Sequence, residues 1–179
     1  MQDNDNDDNQ IPKENFFPAV EQESDQNKAD NNVPLLINGQ YIKDLSFEAP
    51  NTPDIFTLIR DEIPNIEVNI DVEAAPKGDN LFEVELKVRA DAKIKEQLVY
   101  LCEVVYAGLF TVNVSQEHVG PVLLIECPLI IFPFMRRIVA DLTGDGGFAP
   151  LLLAPIDFAS LYQQRVMAAQ ENKDEKQDE

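Results

Sequence analysis

Residue types that could do chemistry are few in this sequence. It has one histidine, His118, and two cysteines, Cys102 and Cys127. A nucleophile–histidine–carboxylate triad would rest on His118 alone. That residue stands in the polar stretch "SQEHVG" and is expected to be a solvated surface histidine. The cysteines stand in apolar contexts without CxxC spacing or a nearby histidine, so they read as buried structural thiols. A zinc site made by this chain alone is not expected. "DLTGDGG" sets Asp141 and Asp145 beside glycines, yet it has neither EF-hand spacing nor the lysine of a P-loop. A helix end with turn glycines accounts for it. No catalytic residue, metal or cofactor is assigned, and no enzymatic activity is expected. A small carboxylate-based hydrolase is the alternative of another class, but carboxylates are too abundant here to discriminate.

One acidic constellation is more specific. Asp44, Glu48 and Glu103 fall on the polar faces of two segments that alternate with period two, and Leu101 shares the face of Glu103. If the segments lie close in a sheet, these residues make an acidic patch with an apolar centre. Periodicity leaves two readings open: a solvated sheet face, or a docking site for a basic partner.

Four strand-like segments must position these residues. In "LLINGQYIKDLSFEA", Ile37, Tyr41, Leu45 and Phe47 are expected to point one way, with Asp44, Ser46 and Glu48 the other. "IEVNIDVEA" opposes Ile66, Val68, Ile70 and Val72 to Glu67, Asn69, Asp71 and Glu73. "FEVELKVRADAKI" repeats the pattern with Phe82, Val84, Leu86, Val88 and Ile94. Such alternation predicts half-buried antiparallel strands. "QLVYLCEVVYAGLF" is apolar on both faces apart from Glu103, which suits a central strand or one that meets another subunit. Gly78-Asp79-Asn80 signals a turn, and Pro50, Pro53 and Pro64 mark a longer connection.

The second half reads as helical. "CPLIIFPFMRRIVADLTGDGG" predicts a long helix from about Pro128, with Pro133 kinking it or marking its true start. Gly144, Gly146 and Gly147 end it. Asp157 is expected to cap a last helix, with Ile156 and Leu161 as a hydrophobic staple. The fold class is therefore α+β: a four-stranded antiparallel sheet followed by a long helix and a C-terminal helix. The long helix is apolar all round and cannot bury both sides in one such subunit, so an oligomer is expected. Arg136 and Arg137 are expected to pair with acids at the edge of that interface.

Charge restricts the partners. The formal net charge is −19 over 179 residues, which disfavours nucleic acid and anionic membranes and favours basic partners. About half of the excess lies in residues 1–33 and 171–179, which read as disordered acidic tails around a domain at 34–170. Phe16 and Phe17 interrupt the first tail as an incidental apolar pair or a short docking motif. The first residues show no signal-peptide pattern, and no apolar run approaches the roughly 18 residues of a membrane span. With two cysteines and no disulfide framework, a cytoplasmic location is expected.

Three separated stretches, "KDLSFEAPN" at 43–51, "YLCEVVYAGLF" at 100–110 and "CPLIIFPFMRRIVADLTGDGGFAPLLLAPIDFASLY" at 127–162, closely resemble the SecB family of protein-export chaperones. The resemblance covers about residues 34–165. It implies a dimer of dimers in which the long helices lie between the sheets of paired subunits. It also implies an ATP-independent chaperone that binds unfolded precursor proteins, keeps them export-competent and delivers them to the SecA motor. Carried over on the matching motifs, Asp44, Glu48, Leu101 and Glu103 fall at the SecA-contact positions. Cys102, Val104 and Tyr106 fall at the tetramer interface. Val68, Ile70 and Val72, with Leu161, Tyr162 and Val166, are the candidates for the client groove. Some family members carry a Trp in the connection between the first two strands; this chain has none, and Phe56 is the aromatic available there. A SecB-like general holdase without SecA delivery, for example one serving a toxin–antitoxin pair, is the alternative within binding proteins.

Overall fold

The computed structural model describes residues 33–175. The first predicted tail lies outside them except for Val33, as do Phe16 and Phe17. Four strands, β1 (Leu35–Glu48), β2 (Asn65–Gly78), β3 (Leu81–Ile94) and β4 (Gln97–Val112), form one antiparallel sheet. Its order is β1-β4-β3-β2. A short helix, α1 (Ile55–Asp61), occupies the connection between the first two strands. Then follow α2 (Gln116–Pro121), a π-helical turn (Val122–Glu126), α3 (Cys127–Asp145) and α4 (Phe158–Glu175). The α+β class and the antiparallel sheet agree with the sequence. The last helix runs past residue 170, where the sequence placed the start of the second tail, and residues 176–179 lie outside the description. No helix among the described residues is long and apolar enough to cross a membrane.

The turn between β2 and β3 is built by Gly78-Asp79-Asn80, with Asn80 at φ 55°. β4 is central, as its two apolar faces require. One face of the sheet is covered by α3; this inner face carries Cys102, Val104, Tyr106 and Phe110 of β4 and Val84, Leu86, Val88 and Ala90 of β3. Gly108 makes room for the Phe110 ring, with which a Cβ there would collide, and for α3, since that Cβ would also lie 3.2 Å from Ile131 Cγ2. The outer face carries Leu101, Glu103, Val105 and Leu109, opposite Asp91, Arg89, Lys87 and Glu83.

Two readings of local structure are corrected. β1 does not alternate regularly. Irregularities in its pairing at Ile37/Gly39 and Ile42/Asp44 insert extra residues, and each shifts the side chains beyond it to the other face. Ile37, Leu45 and Phe47 point inward with their partners Phe110, Val104 and Cys102, but Tyr41 pairs with Ala107 and points outward with Asp44, Ser46 and Glu48. The long helix α3 starts at Cys127, as expected from Pro128 and not at Pro133, but unpredicted helical turns lead into it from Gln116. The π turn lies between Pro121 and Pro128, whose missing N–H groups interrupt the regular ladder, whereas α3 passes through Pro133. His118 consequently sits in a helical turn, exposed, with its Nδ1 2.7 Å from Ser115 Oγ.

The segment after α3 is tied down at one buried hydroxyl. Thr143 Oγ1 donates to Val139 O at 2.9 Å and accepts from Leu151 N at 2.9 Å. Gly147, at φ 88°, turns the chain there. The extended stretch that follows, Leu151–Ile156, is thereby held before α4 begins. Asp157 caps α4: its Oδ1 accepts from Ser160 N at 3.0 Å.

Candidate functional site

Two apolar cavities lie in sequence along the edge strand β2. The first, about 280 Å³, is lined by Phe56 and Ile59 of α1, Ile63, Pro64, Ile66, Val99, Tyr100 and residues 147–149. Phe148 anchors its aromatic wall, with ring centroids 5.3 Å from Phe56 and 5.1 Å from Tyr100. The second, about 320 Å³, is lined by Val68 and Ile70 against Leu151–Ile156. Ile66, Val68 and Ile70 share the inner face of β2, and β3 sets small Ala92 and Ala90 opposite the first two. Ile63 is 95% exposed and Leu152 67%. β2 is the edge of the sheet among the described residues, so this makes a shallow apolar channel beside a strand edge.

Of the groove residues expected from the sequence, Val68 and Ile70 line the second cavity. Val72 does not: it is 4% exposed and belongs to the core. Its carbonyl accepts from Arg165 of α4. Leu161, Tyr162 and Val166 line neither cavity. α4 packs on the π turn that precedes α3, and a Cβ on Gly120 would lie 3.3 Å from Tyr162 Oη. What the sequence missed is the contribution of Ile59, Tyr100, Phe148 and the 151–156 stretch. The signal was the apolar run "PLLLAPI" outside any regular element; Phe56 was already singled out as an aromatic.

On the outer face, Asp44, Glu48, Leu101 and Glu103 come together. Ser46 pairs with Glu103 and Glu48 with Leu101 in the register of β1 against β4, and Asp44 pairs with Val105. Arg89 of β3 adjoins them: its Nη1 meets Glu103 Oε1, and its Nε lies 2.9 Å from Asp91 Oδ2. The patch is thus acidic with the cations Arg89 and Lys87 beside it, of which Arg89 pairs with Glu103. Farther along the same face, Glu83 is 5% exposed. It accepts from Tyr41 and Lys43 of β1 and pairs with Lys77 at 2.8 Å. Lys77 first, then Tyr41 and Lys43, hold its carboxyl at about 2, well below the usual range. This network ties edge strand β1 to β3 across Ala107.

Cys102, Val104 and Tyr106, expected at a tetramer interface, are 0%, 1% and 7% exposed within one chain. β4 is central, so α3 already covers them. Tyr106 stacks on Phe134 at 6.2 Å, and Phe134, with Leu129 and Ile130, leaves the other side of α3 exposed. Ile42, exposed on β1, is the strand neighbour of Tyr106. An apolar surface therefore continues from β1 onto α3. Arg137 lies 4.0 Å from Asp141 of its own helix. Burial pushes the Cys102 thiol up to about 11 and the Cys127 thiol up to about 12, so both keep their protons. Among the described residues, no three His, Cys, Asp or Glu side chains gather as metal ligands.

The family model described as "Preprotein translocase subunit SecB" matches residues 27–169. The chain belongs to the SecB family. A protein-export protein SecB of Rhodospirillum rubrum is 54% identical over 138 residues, which span 77% of this chain and 86% of that protein. The SecB of Bartonella bacilliformis is 43% identical over 146 residues, 80% of this chain and 91% of that one. Among solved structures, a SecB-like chaperone of Mycobacterium tuberculosis, in complex with a peptide from an antitoxin, has a TM-score of 0.54. It shares 19% identity over 69% of this chain and 91% of its own, a likeness of fold. Membership carries the function of the SecB family, that of a chaperone in protein export.

Proposed function

We propose that this chain holds unfolded precursor proteins in the apolar channel along β2 and passes them to SecA, which docks on the outer-face acids. The observation that carries this reading is the pair of apolar cavities in line on β2, the edge strand of the sheet among the described residues. Unfolded chains expose apolar side chains and unpaired backbone, and such a channel offers both complements without a fixed polar reader. Weak contacts repeated over several subunits give avidity without ATP and allow release.

Asp44, Glu48, Leu101 and Glu103 supply an exposed acidic face with an apolar centre, suited to a basic contact on SecA. The apolar surface from β1 onto α3 supports a homotetramer, a dimer of dimers, in which that surface is covered. Cys102, Val104 and Tyr106 would then act on assembly by setting the position of α3. In this reading the protein works in the cytoplasm, with a domain that runs from residue 34 through α4 and is flanked by acidic segments, and engages neither nucleic acid nor the membrane interior.

The experiment is to dilute an unfolded secretory precursor with and without this protein and then add SecA. Suppressed aggregation followed by transfer supports the reading. Suppression without transfer would favour a general holdase, and no suppression would refute both.

A further inference from the structure

The first cavity contains one feature that an apolar site does not need. All its lining side chains are hydrocarbon except Tyr100. That residue is 3% exposed, and its hydroxyl is buried with no protein partner among the described residues. The ring is fixed between Phe47, stacked at 5.7 Å, and Phe148 at 5.1 Å. A buried hydroxyl left unpaired destabilises the chain, and a phenylalanine would fill the same space without that cost. Burial raises its pKa, so the group keeps its proton and remains a donor.

An unfolded client that places a bulky apolar side chain in this cavity must also take its adjoining main-chain carbonyls out of water. Every residue brings such an acceptor, whatever its side chain. We propose that Tyr100 Oη donates a hydrogen bond to a main-chain carbonyl of the client segment seated in the first cavity. This rests on the reading of that cavity as a client site. It gives the site one polar contact that holds backbone and does not select sequence, from a hydroxyl that has no protein partner among the described residues.

The test uses the full chain and a fluorescein-labelled synthetic peptide with one Phe-Leu pair between lysines. An analogue replaces the amide after the Phe by an ester, which weakens that carbonyl as an acceptor. Tyr100→Phe is expected to raise Tm and yet weaken peptide binding about 5- to 10-fold, the worth of one such hydrogen bond. The ester is expected to weaken binding to the unsubstituted protein and to cost less in Tyr100→Phe. Equal peptide affinity in both proteins, or an equal ester penalty, overturns the hydrogen bond. Ile63→Asp, at an exposed position of the lining, separates the two levels. If it weakens binding while Tyr100→Phe does not, only the hydroxyl's role fails. If it leaves binding unchanged, the cavity is not the client site and the proposal falls with it.

Discussion

Arg89 of β3 and Glu103 of β4 stand directly opposite each other in the register, and their side chains meet through Nη1 and Oε1. The acidic patch therefore holds a cation of its own, also engaged by Asp91. A basic partner that docks on Glu103 must compete with Arg89. Arg89→Ala is expected to tighten SecA binding by about 2- to 5-fold at low salt, since exposed pairs are worth up to about 1 kcal/mol. The gain should shrink at high ionic strength. Affinity measured across a salt series checks this, and weaker binding would make Arg89 a support of the patch.

Reversing the patch should separate the two surfaces. Asp44→Lys with Glu103→Lys is expected to reduce SecA binding at least tenfold, because like charges now face the basic partner. Client binding should persist, since neither residue lines the channel. Parallel titrations with SecA and with an unfolded precursor decide it. Equal loss of both would mean that the substitutions damage the fold.

Assembly should respond to the outer side of α3 and not only to β4. Val104→Asp places a charge in the core of one chain, where Val104 is 1% exposed, and is expected to cost several kcal/mol of stability. Phe134→Asp acts where the side chain is 41% exposed. It is expected to leave secondary structure intact and yield smaller species. Circular dichroism with sedimentation distinguishes unfolding from dissociation; a tetramer that survives Phe134→Asp would place the interface elsewhere.

The Glu83 network should give the fold an acid limit. Its folded pKa, about 2, lies below the unfolded value near 4.5. Its contribution is thus fully present above about 4.5 and is lost as pH falls toward about 2. Lys43 and Lys77 are 40% and 44% exposed, so the contribution is discounted to on the order of 1–2 kcal/mol. Glu83→Gln should lower stability at neutral pH and flatten its decline between those values. Denaturant melts across pH report both, and an unchanged slope would remove Glu83 as the cause.

Much of this was legible in the sequence because period-two alternation and glycine or proline punctuation report local backbone directly. The sheet, the Asn80 turn, the Asp157 cap and the single face shared by Asp44, Glu48 and Glu103 followed from that. Tyr41 was assigned to the wrong face because a bulge costs one residue and leaves no compositional trace. The long helix was placed correctly from about Pro128, but the helical turns that lead into it from Gln116 were missed, since a π turn between prolines looks like an interruption. The channel was harder still. Val68 and Ile70 were found from strand pattern, but their partners lie more than eighty residues away in a stretch with no periodicity. Val72 has the same pattern as its neighbours, and only tertiary packing, which pattern does not report, makes it core.

The central claim is that unfolded chains occupy the channel along β2. A photo-crosslinking amino acid at position 66, in the channel, can be compared with one at position 48, on the outer face, each with an unfolded secretory precursor. The account predicts strong adducts from position 66 and none from 48. Adducts from 48 with none from 66 would contradict it.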